Sequence, residues 1–240
     1  MKLVWLPINI VQAVLIFSWT AISGILGILL RFLGMPQKTV IMFLCRIFWG
    51  PIICIIAMVR VKLIHEDRIP RDRSVIFVAN HASHFDIVAL SRVFPIPLFF
   101  IAKQELKKVP VLGQYIAVMG HIFIDRKNGD KAKQSMMLAS RSIRAGKSVI
   151  SFAEGTRTKD GQVQLFKRGA FLIAKDGNIP VVPLAISGAR QVLPSGSFGL
   201  RPGTITIDVG QIMEPETFGE QSAEQLADLA RNQVKSMIIR

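Results

Sequence analysis

Residues 74–86 read SVIFVANHASHFD. The first half is a short apolar run rich in β-branched and aromatic side chains, the composition of a buried strand. At Asn80 it gives way to polar residues that include His81, His84 and Asp86. Ser83 followed three residues later by Asp86 has the form of a capping box, so a helix is expected over 84–93. The same alternation recurs downstream. Further strands are expected at 61–64, 98–102, 122–125, 149–153, 181–186 and 204–209, and helices at 131–145, 169–176 and 221–239. Leu226, Leu229, Val234, Met237 and Ile238 recur at helical spacing, so the last helix packs one face on the sheet. Strands alternating with helices predict one α/β domain over 61–240, a largely parallel mixed sheet flanked by helices.

Upstream of this body the pattern is different. Residues 1–60 hold no Asp or Glu and only five cations, Lys2, Arg31, Lys38, Arg46 and Arg60, together with all three tryptophans. Leu3 to Leu30 carries no charge, and a second apolar run, Thr39 to Val59, is broken only by Arg46 and Gly50-Pro51. Either run has the roughly 20 residues needed to cross a bilayer. With Gly34, Met35 and Pro36 as the turn, 1–60 reads as a membrane-anchoring helical hairpin. At 100° per residue Asn9, Gln12, Thr20, Ser23 and Gly27 share a stripe, interrupted by Ile16, that suits close helix packing or a helix lying in the interface plane. Arg46 is costly at mid-depth in a spanning helix. The reading is a hairpin dipping into one leaflet, with a true span as the alternative. A signal peptide has a shorter apolar core and no second run after it. Two buried helices of a soluble protein would need far more chain to cover them. Cys45 and Cys54 fit small apolar residues of a reducing compartment.

The chain carries 30 Lys+Arg against 16 Asp+Glu, a formal net charge of +14. High apolar content excludes a disordered chain, and two cysteines exclude a disulfide scaffold or a four-cysteine zinc site. The positive surplus suits anionic headgroups, an acidic carrier protein or a phosphorylated substrate. Nucleic acid is not expected: the body has no tryptophan, one tyrosine (Tyr115) and no nucleic-acid-binding signature.

Several strand ends carry chemistry. His81 with Asp86 is general-base equipment, the carboxylate fixing the imidazole tautomer. Asp86 also suits helix capping, and its two oxygens allow both roles. The alternative, His81, His84 and Asp86 as metal ligands, has no further Cys or His nearby to support it. Phe152-Ala153-Glu154-Gly155-Thr156-Arg157 ends another strand. Gly155 permits a tight turn, Thr156 offers a hydroxyl, and Arg157 offers a planar fork for phosphate. The plain alternative is a surface turn with a Glu–Arg pair. Lys103 and Arg126 follow two more strands, and Lys167 and Arg168 add cations that water alone would satisfy. If the strands are parallel, His81, Lys103, Arg126 and Arg157 converge. One base beside three cations suits an alcohol on a phosphorylated molecule. There is no GxSxG elbow, P-loop or GxGxxG motif.

Asn80–Asp86 as N-H-x-x-x-x-D, Gly120–Arg126, Phe152–Arg157 as F-x-E-G-T-R and Ile179–Pro183, in that order, resemble the four blocks of the 1-acyl-sn-glycerol-3-phosphate (lysophosphatidic acid) acyltransferase family of glycerolipid acyltransferases. The resemblance covers about residues 60–215. It departs at Ala153, where many relatives carry Pro, and at Thr158, where Ser is common. It implies that His81, oriented by Asp86, deprotonates the 2-hydroxyl of lysophosphatidic acid. The alkoxide then attacks the thioester of acyl-CoA or acyl-carrier protein to give phosphatidic acid. Arg157, Arg126 and Lys103 would hold the phosphate, with Glu154, Gly155 and Thr156 completing the substrate site. Glu154 would orient the glycerol part or the Arg157 fork, and backbone N–H groups at the helix start would stabilise the oxyanion. No cofactor or metal is implied beyond the thioester co-substrate. The expected location is the inner membrane, with the catalytic domain on the cytoplasmic face against an anionic surface. Glycerol-3-phosphate or another lysophospholipid is the alternative acceptor. A non-catalytic protein binding anionic lipid is the alternative of another class.

Overall fold

The structure is a computed structural model that describes residues 2–125 and 129–239. The chain opens with the uncharged run as one long helix, α1 (Lys2–Phe32). A turn leads to α2 (Gln37–Phe43), a π-helical turn at Leu44–Phe48 and α3 (Trp49–Ala57). Then follow β1 (Val59–Ile64), β2 (Ile76–Ala79), α4 (Phe85–Val93), β3 (Leu98–Lys103), α5 (Leu112–Val118), β4 (Ile122–Ile124) and α6 (Gly129–Arg144). The last third holds β5 (Ser148–Phe152), α7 (Gly169–Gly177), β6 (Val181–Ser187), the short α8 (Ala189–Val192), β7 (Gly203–Val209) and α9 (Ala223–Met237).

All seven expected strands are present, in one sheet of order β1-β7-β6-β2-β5-β3-β4. From β6 to β4 the neighbours are parallel. β7 is antiparallel to β6, and β1 is parallel to β7, so these two strands at one side of the sheet run against the other five. The sheet is covered on both faces, which is why β2 is apolar and buried at every position. Ile76 and Val78 face a core shared with Ile143 of α6, Phe171 of α7 and Leu226 of α9. Phe77 and Ala79 face a core shared with Leu90 of α4, Val192 of α8 and Ile53 of α3.

The two N-terminal helices belong to these cores as well. Val40, Ile41 and Leu44 enter the first, and Ile53, Cys54 and Ala57 the second. β1 begins at Val59, two residues before its expected start, directly after Met58 turns the chain with φ of 55°. The small and polar stripe of α1 faces inward. Asn9 Nδ2 donates to the Leu200 carbonyl and Gln12 Nε2 to that of Ile56, each at 2.9 Å. Thr20 Oγ1 accepts from Trp49 Nε1 at 3.0 Å, and Ser23 is buried. Gly27 allows the closest approach: a Cβ there would lie 2.8 Å from Leu44 and 2.9 Å from Tyr115. The opposite face of α1 is bare, with Leu6, Val14 and Phe17 60–69% exposed. Trp5–Phe32 and Gln37–Ala57 are each long and apolar enough to cross a membrane.

Candidate active site

β2, β5, β3 and β4 are consecutive in the sheet and all point the same way, so their C-terminal ends form one rim. His81 leaves the end of β2. Its Nδ1 lies 2.7 Å from Asp86 Oδ2, and the Asp86 side chain is fully buried. The same Oδ2 accepts the N–H groups of Ala82 at 2.8 Å and Ser83 at 2.9 Å. A carboxylate oxygen holding two backbone donors is an acceptor, which places the proton of that ring atom on Nδ1 and leaves Nε2 open as the basic nitrogen. One oxygen therefore does both jobs, capping the helix start and orienting the imidazole, while Oδ1 has no partner among the described residues. The capping box is half formed: Ser83 Oγ takes the N–H of Phe85 at 3.1 Å rather than that of Asp86.

The rest of His81 is fixed just as closely. Its ring stacks on Phe152 with centroids 4.0 Å apart and planes 15° from parallel. The β2–β5 register delivers this contact, since Phe152 lies opposite Ala79. The His81 carbonyl accepts from Thr158 N–H at 2.8 Å, and its N–H donates to Glu154 Oε1 at 3.3 Å. Asn80 ties the turn to the next strand through two bonds with Ile186, one donated and one accepted. Base, stacking partner and neighbouring loop are thus joined across three adjacent strands.

Glu154 sits under His81. Burial pushes its carboxyl up to about 7, against the pull of the His81 and Gln164 N–H groups. Its second oxygen is buried and has no hydrogen-bond partner among the described residues, so no hydrogen bond joins it to Arg157. Arg157 instead lies near His84, whose imidazole is lowered by burial and then by the charges of Arg157 and His81. Gly155 is half-buried and turns the loop with φ of +76°. Thr156 is exposed at its tip. Lys103 ends β3, which β5 separates from β2, so it stands about 10 Å along the rim at normal strand spacing. Arg126 lies outside the described residues. The Ala82, Ser83 and Phe85 N–H groups are already used by Asp86 and Ser83, so they are not free for an oxyanion. Among the described residues no three His, Cys, Asp or Glu side chains gather to hold a metal ion.

The acyltransferase family profile matches residues 60–187, which contain every one of these groups. The chain belongs to the acyltransferase family. A 1-acyl-sn-glycerol-3-phosphate acyltransferase of Chlamydomonas reinhardtii is 34% identical over 170 residues, 70% of this chain and 50% of its own length. One from Limnanthes douglasii is 38% identical over 136 residues, covering 56% and 48% respectively. The chain spans about half the length of these curated relatives. The crystal structure of the 1-acyl-sn-glycerophosphate (LPA) acyltransferase PlsC from Thermotoga maritima superposes with a TM-score of 0.83 at 27% identity, covering 98% of this chain and 95% of that one.

In this member of the family the structure also separates two cations that the sequence leaves equivalent. Arg168 pairs with Glu224 at 2.9 Å. Lys167 makes no ion pair among the described residues. Its N–H is fixed to the Ala153 carbonyl at 2.8 Å, and its side chain lies across Gly155, where an added Cβ would meet Nζ at 2.9 Å. Lys167 therefore joins Arg157 as a positive charge, on the loop beside the base, that has no carboxylate partner among the described residues. Sequence spacing carries no signal of this, nor of Thr158 holding the His81 carbonyl. Phe152 was signalled by its place at a strand end and in the F-x-E-G-T-R block, but not as the ring that stacks on His81.

Proposed function

We propose that this protein transfers a fatty acyl chain from a soluble thioester, acyl-CoA or acyl-carrier protein, to the 2-hydroxyl of 1-acyl-sn-glycerol-3-phosphate. The observation that carries the reading is His81 held through Nδ1 by Asp86 with Nε2 open, beside cations that have no carboxylate partner among the described residues. Nε2 takes the proton of the acceptor hydroxyl as its oxygen attacks the thioester carbonyl. The tetrahedral intermediate collapses, the C–S bond breaks, and the thiolate leaves with the proton returned by His81. The products are phosphatidic acid and free thiol. Arg157, Lys167 and Lys103 meet the acceptor phosphate, with Arg157 supplying the fork geometry. The names of the relatives favour this acceptor.

The protein lies on the cytoplasmic leaflet with its hairpin in the interface plane. α1 touches the α/β body near both ends, at Leu200 through Asn9 and at Tyr115 through Gly27. Those positions are eighteen residues apart, about 27 Å of helix and close to the thickness of a hydrocarbon core. A crossing helix would pull the two contacts to opposite sides of the membrane.

Purified protein in mixed micelles with oleoyl-CoA would be given lysophosphatidic acid, glycerol-3-phosphate or lysophosphatidylglycerol in parallel. Phosphatidic acid and thiol should appear together with the first acceptor and vanish in His81→Ala. Turnover surviving in that variant, or confined to another acceptor, would overturn the assignment. Labelling of Met35→Cys from the outer side would overturn the one-leaflet placement.

A further inference from the structure

The stretch from within α8 to the start of β7, Arg190–Gly203, contains two arginines and no acid. It carries Phe198, which at 84% is the most exposed large apolar side chain among the described residues. One such side chain means little by itself. Its setting is what matters. The loop is held in shape by its own bonds: Ser197 N–H to the Pro194 carbonyl, Gly199 N–H to Ser197 Oγ, and Arg201 N–H to the Val192 carbonyl at 2.9 Å. So Phe198 is presented on a braced loop.

The loop is fastened on two sides. Toward the anchor, Asn9 Nδ2 donates to the Leu200 carbonyl and Arg201 Nη1 donates to Asn9 Oδ1, both at 2.9 Å, while the Arg201 guanidinium lies 4.9 Å from the Trp5 ring centre. Toward the catalytic rim, Arg190 donates from Nε and Nη2 to the Lys159 carbonyl at 3.2 and 3.1 Å. Lys159 follows Thr158, whose N–H holds His81. Because β7 runs against β6, the start of β7 at Gly203 lies at the same end of the sheet as His81. The loop therefore joins α1 at Asn9, beside which Leu6 and Ile10 are 63% and 57% exposed, to the loop that carries Arg157.

We propose that the Pro194–Leu200 loop is a second membrane contact, with Phe198 inserted among the acyl chains of an anionic bilayer beside the catalytic rim. The chemistry fits one occupant. An aromatic tip belongs at the depth of the headgroup boundary, and the flanking Arg190 and Arg201 suit lipid phosphates with no acid in the segment to repel them. The contact extends the apolar face of α1 without a gap in sign of charge, since α1 also lacks acids. Its effect is to seat the membrane against the active-site end of the sheet, so that a lysolipid slides from the leaflet to His81 with its headgroup already at the rim. This inference rests on the membrane-anchor reading given above.

The test uses the full chain reconstituted in vesicles of phosphatidylcholine with phosphatidylglycerol. Cys45→Ala and Cys54→Ala clear the background, and an environment-sensitive fluorophore is attached through Phe198→Cys, Phe17→Cys on the bare face of α1, or Gln211→Cys at the far end of the sheet. Doxyl-labelled lipid should quench the probes at 198 and 17 and spare the one at 211. Quenching at 17 without 198 overturns the loop contact alone. Loss at both overturns the anchor reading. A probe at 198 that responds to protein concentration instead of lipid marks a contact between copies and overturns it too. In kinetics, Phe198→Ser should raise KM for vesicle-borne lysophosphatidic acid by about tenfold, the scale set by one apolar side chain leaving its burial site, and leave kcat unchanged. The same variant should match the parent protein on acceptor dissolved below its micelle concentration. Equal KM on vesicles would also overturn the proposal.

Discussion

The base and the cations around it are built in opposite ways. His81 is held at its ring, its N–H and its carbonyl, by Asp86, Phe152, Glu154 and Thr158, with most of that apparatus buried. Arg157, Lys167 and Lys103 stand on loops or a strand end and meet no carboxylate among the described residues. The difference follows from what each group must do. A base acts on one hydrogen and gains from being fixed before substrate arrives. Cations that receive a phosphate lose affinity if the protein has already neutralised them, and at the rim they stay hydrated at little cost. Pre-organisation is concentrated where the bond changes, and recognition is left open where the charge must enter.

The comparison breaks most severely at Asp86. Asp86→Asn keeps an acceptor for the backbone but removes the negative charge that sets the imidazole, and should lower kcat by about 10²–10⁴-fold, the range for a displaced general base, with the fold retained by circular dichroism. Arg157→Ala should act on the other half of the comparison. A rise in KM for the phosphorylated acceptor by about tenfold or more is expected from loss of a charge-assisted fork, with a smaller effect in Arg157→Lys. A fall in kcat with unchanged KM would contradict the division of labour. Lys167→Ala should raise the same KM a few-fold and Arg168→Ala should not, because only the latter is already paired.

The smallest effect is on stability and has a sign for each group. Glu154, raised to about 7, keeps in the folded protein a proton that the unfolded chain releases, so its contribution falls as pH rises from about 4.5 to 7. His121 is wholly enclosed, and burial with the Lys147 charge pushes it down to about 4. Its ring Nδ1 accepts the Phe100 N–H at 3.1 Å, so protonation breaks a bond. Its contribution is full above about pH 6.5 and is lost as pH falls through 4. The two slopes oppose one another in the parent. Thermal unfolding from pH 4 to 8 should show stability rising more steeply with pH in Glu154→Gln, and falling as pH rises in His121→Asn, where only the Glu154 slope is left. Parallel curves for all three would remove both groups as titrating elements.

What the sequence made legible follows the range of the interactions involved. Each strand of the sheet is a local apolar run, and all seven were readable as such. α5 was not: Leu112–Val118 is two turns long and contains Gly113, too short to show a helical period. The reversed direction of β1 and β7 is set by pairing partners far apart in the chain, and no local pattern encodes it. Among the site residues, His81 and Asp86 are five apart and their pairing is local. The placing of Glu154 beneath His81, away from the Arg157 fork, and the separation of Lys167 from Arg168 depend on the packing of β5 against β2 and of α7 beside α9.

The pairing of β1 with β7 also sets an order in time. Val59 directly follows the anchor, yet its partner is Gly203. At roughly 5–20 residues per second of synthesis, the anchor is out of the ribosome on the order of ten seconds before β1 has a strand to pair with. During that interval the strand offers unpaired backbone groups to any other chain, the usual route to edge-to-edge aggregation. An anchor already laid on a membrane confines each nascent chain to its own patch of surface, away from its neighbours' exposed edges. Expression without a membrane to receive α1 should therefore lose yield through aggregation of incomplete sheets, beyond the insolubility of the apolar helices themselves.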